Sequence, residues 1–294
     1  MPQPSSDRPF TNIYHKKPYP AIDPTQKTLS AAGKTILITA GHTGIGYAIA
    51  QNFAIAGATN IILLARRLEV LENATKALSS SYPETKFFSH AASITDFASI
   101  KTTFHQIRTN IANPNILVTS AAYVAKPFAA LALPLAELSN SFETNVLGNI
   151  NLVKEFLAES ETGVEKIILD ISSFAAHLYL PQISAYSITK LAFTQFLTHV
   201  QEENKDKGVR VHSFHPGAVL TDAVRGFGMT EETMDWEDVQ LSGQFGVWLA
   251  SKEAEFLKGR FVWANWDVEE MIKRKFEFEL DSDLLKSGLV GATI

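Results

Sequence analysis

Residues 35–58 read TILIT (35–39), AGHTGIG (40–46) and YAIAQNFAIAGA (47–58). This is an apolar β-branched run, a glycine-rich turn and then an alanine-rich stretch of helical length. The turn must be tight, and glycine lets backbone approach a ligand without a Cβ in the way. A helix that begins there offers free N–H groups and a partial positive charge, which suits the phosphates of a dinucleotide. The same alternation continues outward. Strands are expected at Asn60–Leu64, Thr85–Ser89, Ile116–Thr119, Ile167–Ile171, Val209–Phe214 and Arg260–Trp263. Segments of helical length lie between them at Gly44–Ala56, Leu68–Ser80, Ile94–Ile111, Asn140–Glu159 and Ser184–Lys205. Nearly all-apolar strands alternating with helices imply an α/β fold, a doubly wound, Rossmann-like parallel sheet covered on both faces.

The chain divides into an extended arm (1–33), one Rossmann-like domain (34–265) and a C-terminal extension (266–294) that mixes charges and aromatics. The arm holds six of the twelve prolines and shows no strand or helix period. It is expected to be ordered only where it lies on the body.

Composition excludes several classes. With 26 Lys plus Arg against 31 Asp plus Glu, the net charge is −5, whereas a nucleic-acid binder needs a basic surface. There is no cysteine, hence no disulfide, thiolate metal site or cysteine nucleophile. His212 and His215, three apart on a strand, face opposite ways, so no metal site is expected. No apolar run reaches membrane-spanning length; Val124–Ala136 is broken by Lys126, Pro127 and Pro134. The opening MPQPSSDRPF has no apolar secretory core. An intracellular, cytoplasmic protein with no membrane partner is the expectation.

The second strand ends at Ala65-Arg66-Arg67, and Arg66 follows Gly46 by 20 residues, near the ribose-selecting position of a dinucleotide fold. An acid there would accept from a ribose 2′-hydroxyl; an arginine favours a 2′-phosphate through a charge-assisted bond of roughly 1.5–3 kcal/mol. NADP(H) is therefore expected over NAD(H).

Tyr186-Ser-Ile-Thr-Lys190 opens the last long helical segment. Residues i and i+4 share a helix face, so phenol and ammonium can meet in one cleft. A positive charge at ~4 Å and an effective dielectric of ~20 favours a phenolate by roughly 4 kcal/mol, which would move a phenol from ~10 toward neutrality, where an acid/base works best. Upstream, Ser173 ends a strand 13 residues before Tyr186, and Asn145 lies in a helical segment; downstream, a strand ends at Pro216-Gly217. These strand ends share the carboxyl edge of the sheet, where such folds bind ligands.

The glycine loop after Thr39, and the order Asn145, Ser173, Tyr186, Lys190, Pro216-Gly217, resemble the short-chain dehydrogenase/reductase family across roughly residues 34–265. The resemblance implies that Tyr186 exchanges a proton with a carbonyl or hydroxyl, that Ser173 holds the reacting oxygen, and that Lys190 lowers the phenol pKa and binds the nicotinamide ribose. It implies that Asn145 holds a relay water. Gly41, His42, Thr43, Gly44, Ile45 and Gly46 would cradle the phosphates, Ser93 would lie near the adenine, and Thr119 and Ala121 near a ribose. Pro216, Gly217, Val219 and Thr221 would anchor the nicotinamide end. Ala40 stands where the family loop has its first glycine, a substitution tolerable at negative φ. Ser93, Thr119 and Ser120 also depart from the family pattern.

His177, Tyr179, Phe227 and Trp236 are candidates to line a substrate cleft, with the glycine-containing loop after Thr221 as a lid. The expected activity is reduction of a ketone or aldehyde of a bulky apolar metabolite, or oxidation of the matching secondary alcohol. Alternatives are a non-redox cyclisation, isomerisation or dehydration on the same fold, or an inactive NADPH-binding protein. The resemblance also implies a homodimer or homotetramer. YPAIDPT in the arm and GRFVWANWDVEEM near the end resemble fungal members, some of which serve secondary metabolism.

Overall fold

A strand covered by helices on both faces has no side left for polar residues, so it reads as an unbroken apolar run. In the computed structural model, which describes residues 10–159 and 163–288, seven strands form one parallel sheet. They are β1 Thr35–Thr39, β2 Asn60–Ala65, β3 Lys86–Ala91, β4 Ile116–Thr119, β5 Lys166–Ile171, β6 Val209–His215 and β7 Arg260–Trp263, in the order β3-β2-β1-β4-β5-β6-β7. At and near its centre, β1, β2, β4 and β5 are largely such apolar runs. The expected weaker strand near residue 85 is β3, an edge strand with only partly buried side chains. The helices are α1 Gly44–Ile55, α2 Leu68–Ser81, α3 Phe97–Asn110, α4 Leu135–Phe142, α5 Asn149–Leu157, α6 Ser184–Glu203, α7 Asp222–Arg225, α8 Val239–Ala250, α9 Val268–Lys273 and α10 Lys275–Leu280.

The two-residue period of a strand sorts the core into two layers. Ile36 and Ile38 of β1 pack with Phe53 of α1 and Phe245 and Trp248 of α8. Leu37, between them, faces the other side with Phe104 of α3, Phe156 of α5 and Phe193 of α6. In the first layer α8 approaches α1 so closely that a Cβ on Gly243 would lie 2.8 Å from the Ala48 carbonyl oxygen. The chain winds outward from β1 to β3, then returns to β4 and winds the other way. The crevice beyond the carboxyl ends of β1 and β4 is the switch point where such sheets bind ligands.

Two segments differ from expectation. The single helix expected over Asn140–Glu159 is three pieces, with a π-helical turn, Glu143–Gly148, between α4 and α5. Such wide turns are often found at functional sites, and this one carries Asn145. Gly148 is needed beside it, because a Cβ there would meet Ile94 at 2.9 Å. Second, α3 starts at Phe97 rather than Ile94, because the Asp96 side chain caps it by accepting the Ser99 N–H at 3.0 Å.

Within the arm, residues 10–33 lie against the body. Short 3₁₀ turns at Pro20–Ile22 and Lys27–Leu29 send Ile22 and Leu29 into the α1/α8 layer, which is why no single period was visible there. Tyr14 forms an antiparallel bridge with Trp266, and Phe10 packs on Trp266 and Phe278 at 5.0 and 5.9 Å. The first and last described segments are thereby packed together.

Candidate active site

The glycine loop turns sharply between β1 and α1. Gly44 has φ +54°, and a Cβ on Gly46 would stand 2.9 Å from the Ala40 carbonyl oxygen and 3.1 Å from Ser120 Oγ. A Cβ on Gly41 would strike Leu63 at 2.7 Å. Ala40 itself has φ +51°, so the condition of a negative φ, under which the substitution is free of strain, is not met. The alanine occupies the left-handed region, at a cost of roughly 1–2 kcal/mol.

Beside this loop lies a cavity of about 180 Å³ lined by His42, Ala65, Arg66, Arg67, Ser93 and Ala121, among others. Both arginines are exposed at its mouth. Burial holds the His42 imidazole below its ordinary pKa, and the Arg67 charge adds to the effect while Asp222 opposes it. His42 Nδ1 is buried without a protein partner among the described residues. An orphaned polar atom, two cations and a loop with no room for a Cβ at Gly41 or Gly46 fit the adenosine and phosphate end of a dinucleotide.

At the end of β4, Thr39 Oγ1 accepts the N–H groups of Ser120 and Ala121, both at 2.9 Å. Thr119 is turned into the sheet, where its hydroxyl donates to Asp170 at 3.2 Å. Thr119 therefore offers the crevice its backbone only, and the hydroxyl beside the glycine loop is that of Ser120. Burial raises the Asp170 carboxyl above the usual carboxylate range, opposed by the Lys190 charge and by hydrogen bonds. Ser93 borders the cavity, its hydroxyl 2.9 Å from that of Thr95.

Ser173 leaves β5 and caps the 3₁₀ turn Phe174–Ala176, its Oγ accepting the Ala175 N–H at 3.2 Å. Helix α6 packs against this turn. Lys190, 4% exposed, donates from Nζ to the Ile171 carbonyl at 2.6 Å and lies 5.8 Å from the centroid of the Tyr186 ring. The i,i+4 spacing thus places ammonium and phenol together, and the bond to Ile171 ties both to the strand that carries Ser173. Asn145, 1% exposed, accepts the Tyr123 N–H at 2.7 Å and donates to the Tyr123 carbonyl and to Thr189 Oγ1 at 2.9 and 3.0 Å. Both its amide hydrogens are in use, so any water it holds hangs from a carbonyl oxygen.

After β6, Gly217 has φ +94°. Val219 is buried, and Thr221 caps α7 with its methyl against the glycine loop, 3.3 Å from where a Gly44 Cβ would be. Thr43 Oγ1 donates to Asp222 at 2.7 Å, which joins the two loops directly. Ile45 is partly buried against the α1/α8 layer.

The candidate substrate residues separate. Tyr179 is 89% exposed and Phe227 is exposed; Trp236 is half-buried and donates to the Thr230 carbonyl at 2.8 Å. The His177 ring packs edge-on against Phe261 of β7 at 4.1 Å. Sequence reasoning missed Arg67 as a charge on His42, Thr39 and Thr189 as supports, and Glu237, which accepts the Ala218 N–H at 2.7 Å. No local signal marks Thr189, whose partner is 44 residues away.

Comparisons with known proteins agree with this geometry. The family described as short chain dehydrogenase matches residues 34–232. The chain is similar to the short chain dehydrogenase/reductase AacuD of Aspergillus aculeatus, with 37% identity over 95% of this chain and 96% of the relative. It is also similar to a short chain dehydrogenase/reductase of Claviceps purpurea, with 38% identity over 95% and 94%. In fold it is similar to L-sorbose reductase from Gluconobacter frateurii, solved with NADPH and L-sorbose, at TM-score 0.71 and 22% identity over 80% and 96% of the two chains. A parallel sheet wound about a glycine loop, with Ser173, Tyr186 and Lys190 at its carboxyl edge, and relatives matching along nearly the whole chain lead to one conclusion: the chain belongs to the short-chain dehydrogenase/reductase family of oxidoreductases.

Proposed function

We propose that this chain is an NADP(H)-dependent oxidoreductase that reduces a ketone or aldehyde of a bulky, largely apolar metabolite, or oxidises the matching secondary alcohol. One observation carries the reading: the Lys190 ammonium lies over the Tyr186 ring while bonded to the strand that delivers Ser173. When bound, the nicotinamide supplies or takes up the hydride. Ser173 Oγ hydrogen-bonds the reacting oxygen and holds it for the phenol. Tyr186 gives its hydroxyl proton to that oxygen in reduction and recovers it in oxidation. The Lys190 charge favours the negative oxygen left on Tyr186. One Lys190 N–H is held by Ile171, leaving two donors for ribose hydroxyls and a proton path. Asn145 supports that path through a water on one of its carbonyl oxygens.

The glycine loop, His42 and Ser93 hold the adenosine and phosphate end, with Arg66, and Arg67 beside it, on a 2′-phosphate. Pro216, Gly217, Val219 and Thr221 hold the nicotinamide end. Tyr179, Phe227 and Trp236 present apolar surface to a substrate. Leu135, Leu147, Ile188 and Leu191 are exposed on α4, the π-turn and α6, which supports a homodimer or homotetramer packed through the helices bearing Asn145 and Tyr186. The protein works on small molecules; among the described residues no helix is long and apolar enough to cross a membrane.

A carbonyl panel followed at the NADPH absorbance band tests this. The wild type should consume NADPH with at least one bulky ketone or aldehyde, and Tyr186→Phe should lower the rate by about 10²–10⁴. Binding without turnover would make the protein a sensor, and product without net cofactor oxidation would make it a non-redox enzyme.

A further inference from the structure

The turn Pro216-Gly217-Ala218, which leads into Val219 and Thr221, is held from behind by one carboxylate. Glu237 is 6% exposed, and its Oε2 accepts the Ala218 N–H at 2.7 Å while its own N–H donates to the Ala218 carbonyl at 3.0 Å. Gly217 presses on the same side chain; a Cβ there would lie 3.2 Å from Glu237 Cβ and 3.7 Å from Asn265 Nδ2. Residues 14–16 of the arm close over this pair. The Tyr14 phenol and the Lys16 charge act on the Glu237 carboxyl, with Asp235 the nearby like charge. The Lys16 carbonyl accepts the Asp238 N–H at 2.8 Å. His15 exchanges backbone and side-chain bonds with Asn265, at 2.7 and 3.0 Å. The turn thus has a buried acceptor on one side and the arm behind that acceptor, while much of the loop beyond it, including Phe227, is exposed.

We propose that Glu237 is a positioning residue for the nicotinamide end of the cofactor: it fixes the 216–218 turn and so sets where Val219 and Thr221 stand, with arm residues 14–16 as its backing. This rests on the cofactor reading given above. Removing the acceptor leaves the part-buried Ala218 N–H unpaired and the turn free. The adenosine end, at the cavity lined by Arg66 and Ser93, should not respond.

The test compares NADPH with 2′,5′-ADP, which carries only the adenosine end, on the full chain. Glu237→Ala should weaken NADPH by about tenfold, while 2′,5′-ADP stays within about twofold. Glu237→Gln, which keeps an oxygen for the Ala218 N–H, should restore NADPH to within about threefold of wild type. Unchanged NADPH affinity in Glu237→Ala overturns the proposal, as does equal loss of both ligands or failure of the glutamine to rescue. If the wild type prefers NADH, the same comparison is made with NADH and ADP. A wild type that binds neither cofactor overturns the functional reading itself, an outcome seen before any variant is made.

Discussion

Two loops border the crevice, and they are shaped by different means. The glycine loop, residues 40–46, takes its form from its own residue types: a left-handed Gly44, a Gly46 with no space for a Cβ and an Ala40 forced to φ +51°. The loop after β6, residues 216–236, takes its form from residues beyond it. Its root depends on Glu237, on Ser242, whose hydroxyl donates to the Pro216 carbonyl at 2.5 Å, and on arm residues more than 200 positions away in sequence. A tight turn can be written into a few φ angles. A long loop has too much conformational entropy for that and needs anchors brought from a distance.

Three experiments would break or sharpen this contrast. The largest effect should come from Arg66→Ala. Loss of a charge-assisted bond should weaken NADPH by about 10- to 150-fold, and 2′,5′-ADP by the same factor, while NADH changes little. That is the reverse of the pattern expected for Glu237→Ala, and titrating all three ligands shows whether the two ends of the crevice act independently. Equal losses for NADH and NADPH would remove Arg66 from cofactor selection.

A smaller effect should appear in acid, with a different window for each end. The His42 pKa is depressed, first by burial and then by Arg67. Its contribution to stability is full above the unfolded value of 6.5 and is lost as pH falls from there through the folded value. Asp267 holds the arm by accepting from His15 at 2.9 Å. Burial pushes its carboxyl up, but the hydrogen bonds from His15 and from the N–H groups of Glu269 and Glu270 outweigh this and leave it below 3.8. Its contribution is present above 3.8 and is lost as pH falls through its folded value. Amide exchange, corrected for its intrinsic pH dependence, should therefore quicken in the glycine loop as pH falls below about 6.5, while peptides around Asp267 stay protected until pH falls below 3.8. Loosening of the Asp267 region first would contradict this order.

The smallest effect is expected from Ala40→Gly. Relief of the left-handed alanine is largely offset by the greater freedom of glycine in the unfolded chain. A net gain of no more than about 1 kcal/mol should result, a shift of at most a few degrees in Tm. A clear loss of stability would mean that the Ala40 methyl packs more favourably than its backbone angle suggests.

The sheet, its winding and the placement of Lys190 beside Tyr186 were legible because they rest on local or periodic signals. Unbroken apolar runs marked the strands, glycine spacing marked the phosphate turn, and the interval from Tyr186 to Lys190 put two side chains on one face of α6. The π-turn around Asn145 could not be read, because a helix that widens for one turn keeps nearly the same hydrophobic pattern. The sign of φ at Ala40 could not be read from residue type alone; the peptide direction that the turn requires outweighed the preference of the side chain.

What the sequence by itself determined is the chemistry available at the crevice: a phenol beside an ammonium, a serine at a strand end and arginines after β2. Tertiary structure alone decided which groups support them. Thr119 turned inward to Asp170, His177 went to Phe261, and Glu237 came under the Gly217 turn with Tyr14 above it. Residue type and short spacing act through the few bonds between neighbours, so they can be read along the chain. A contact between residues 14 and 237 exists only once the sheet between them has formed.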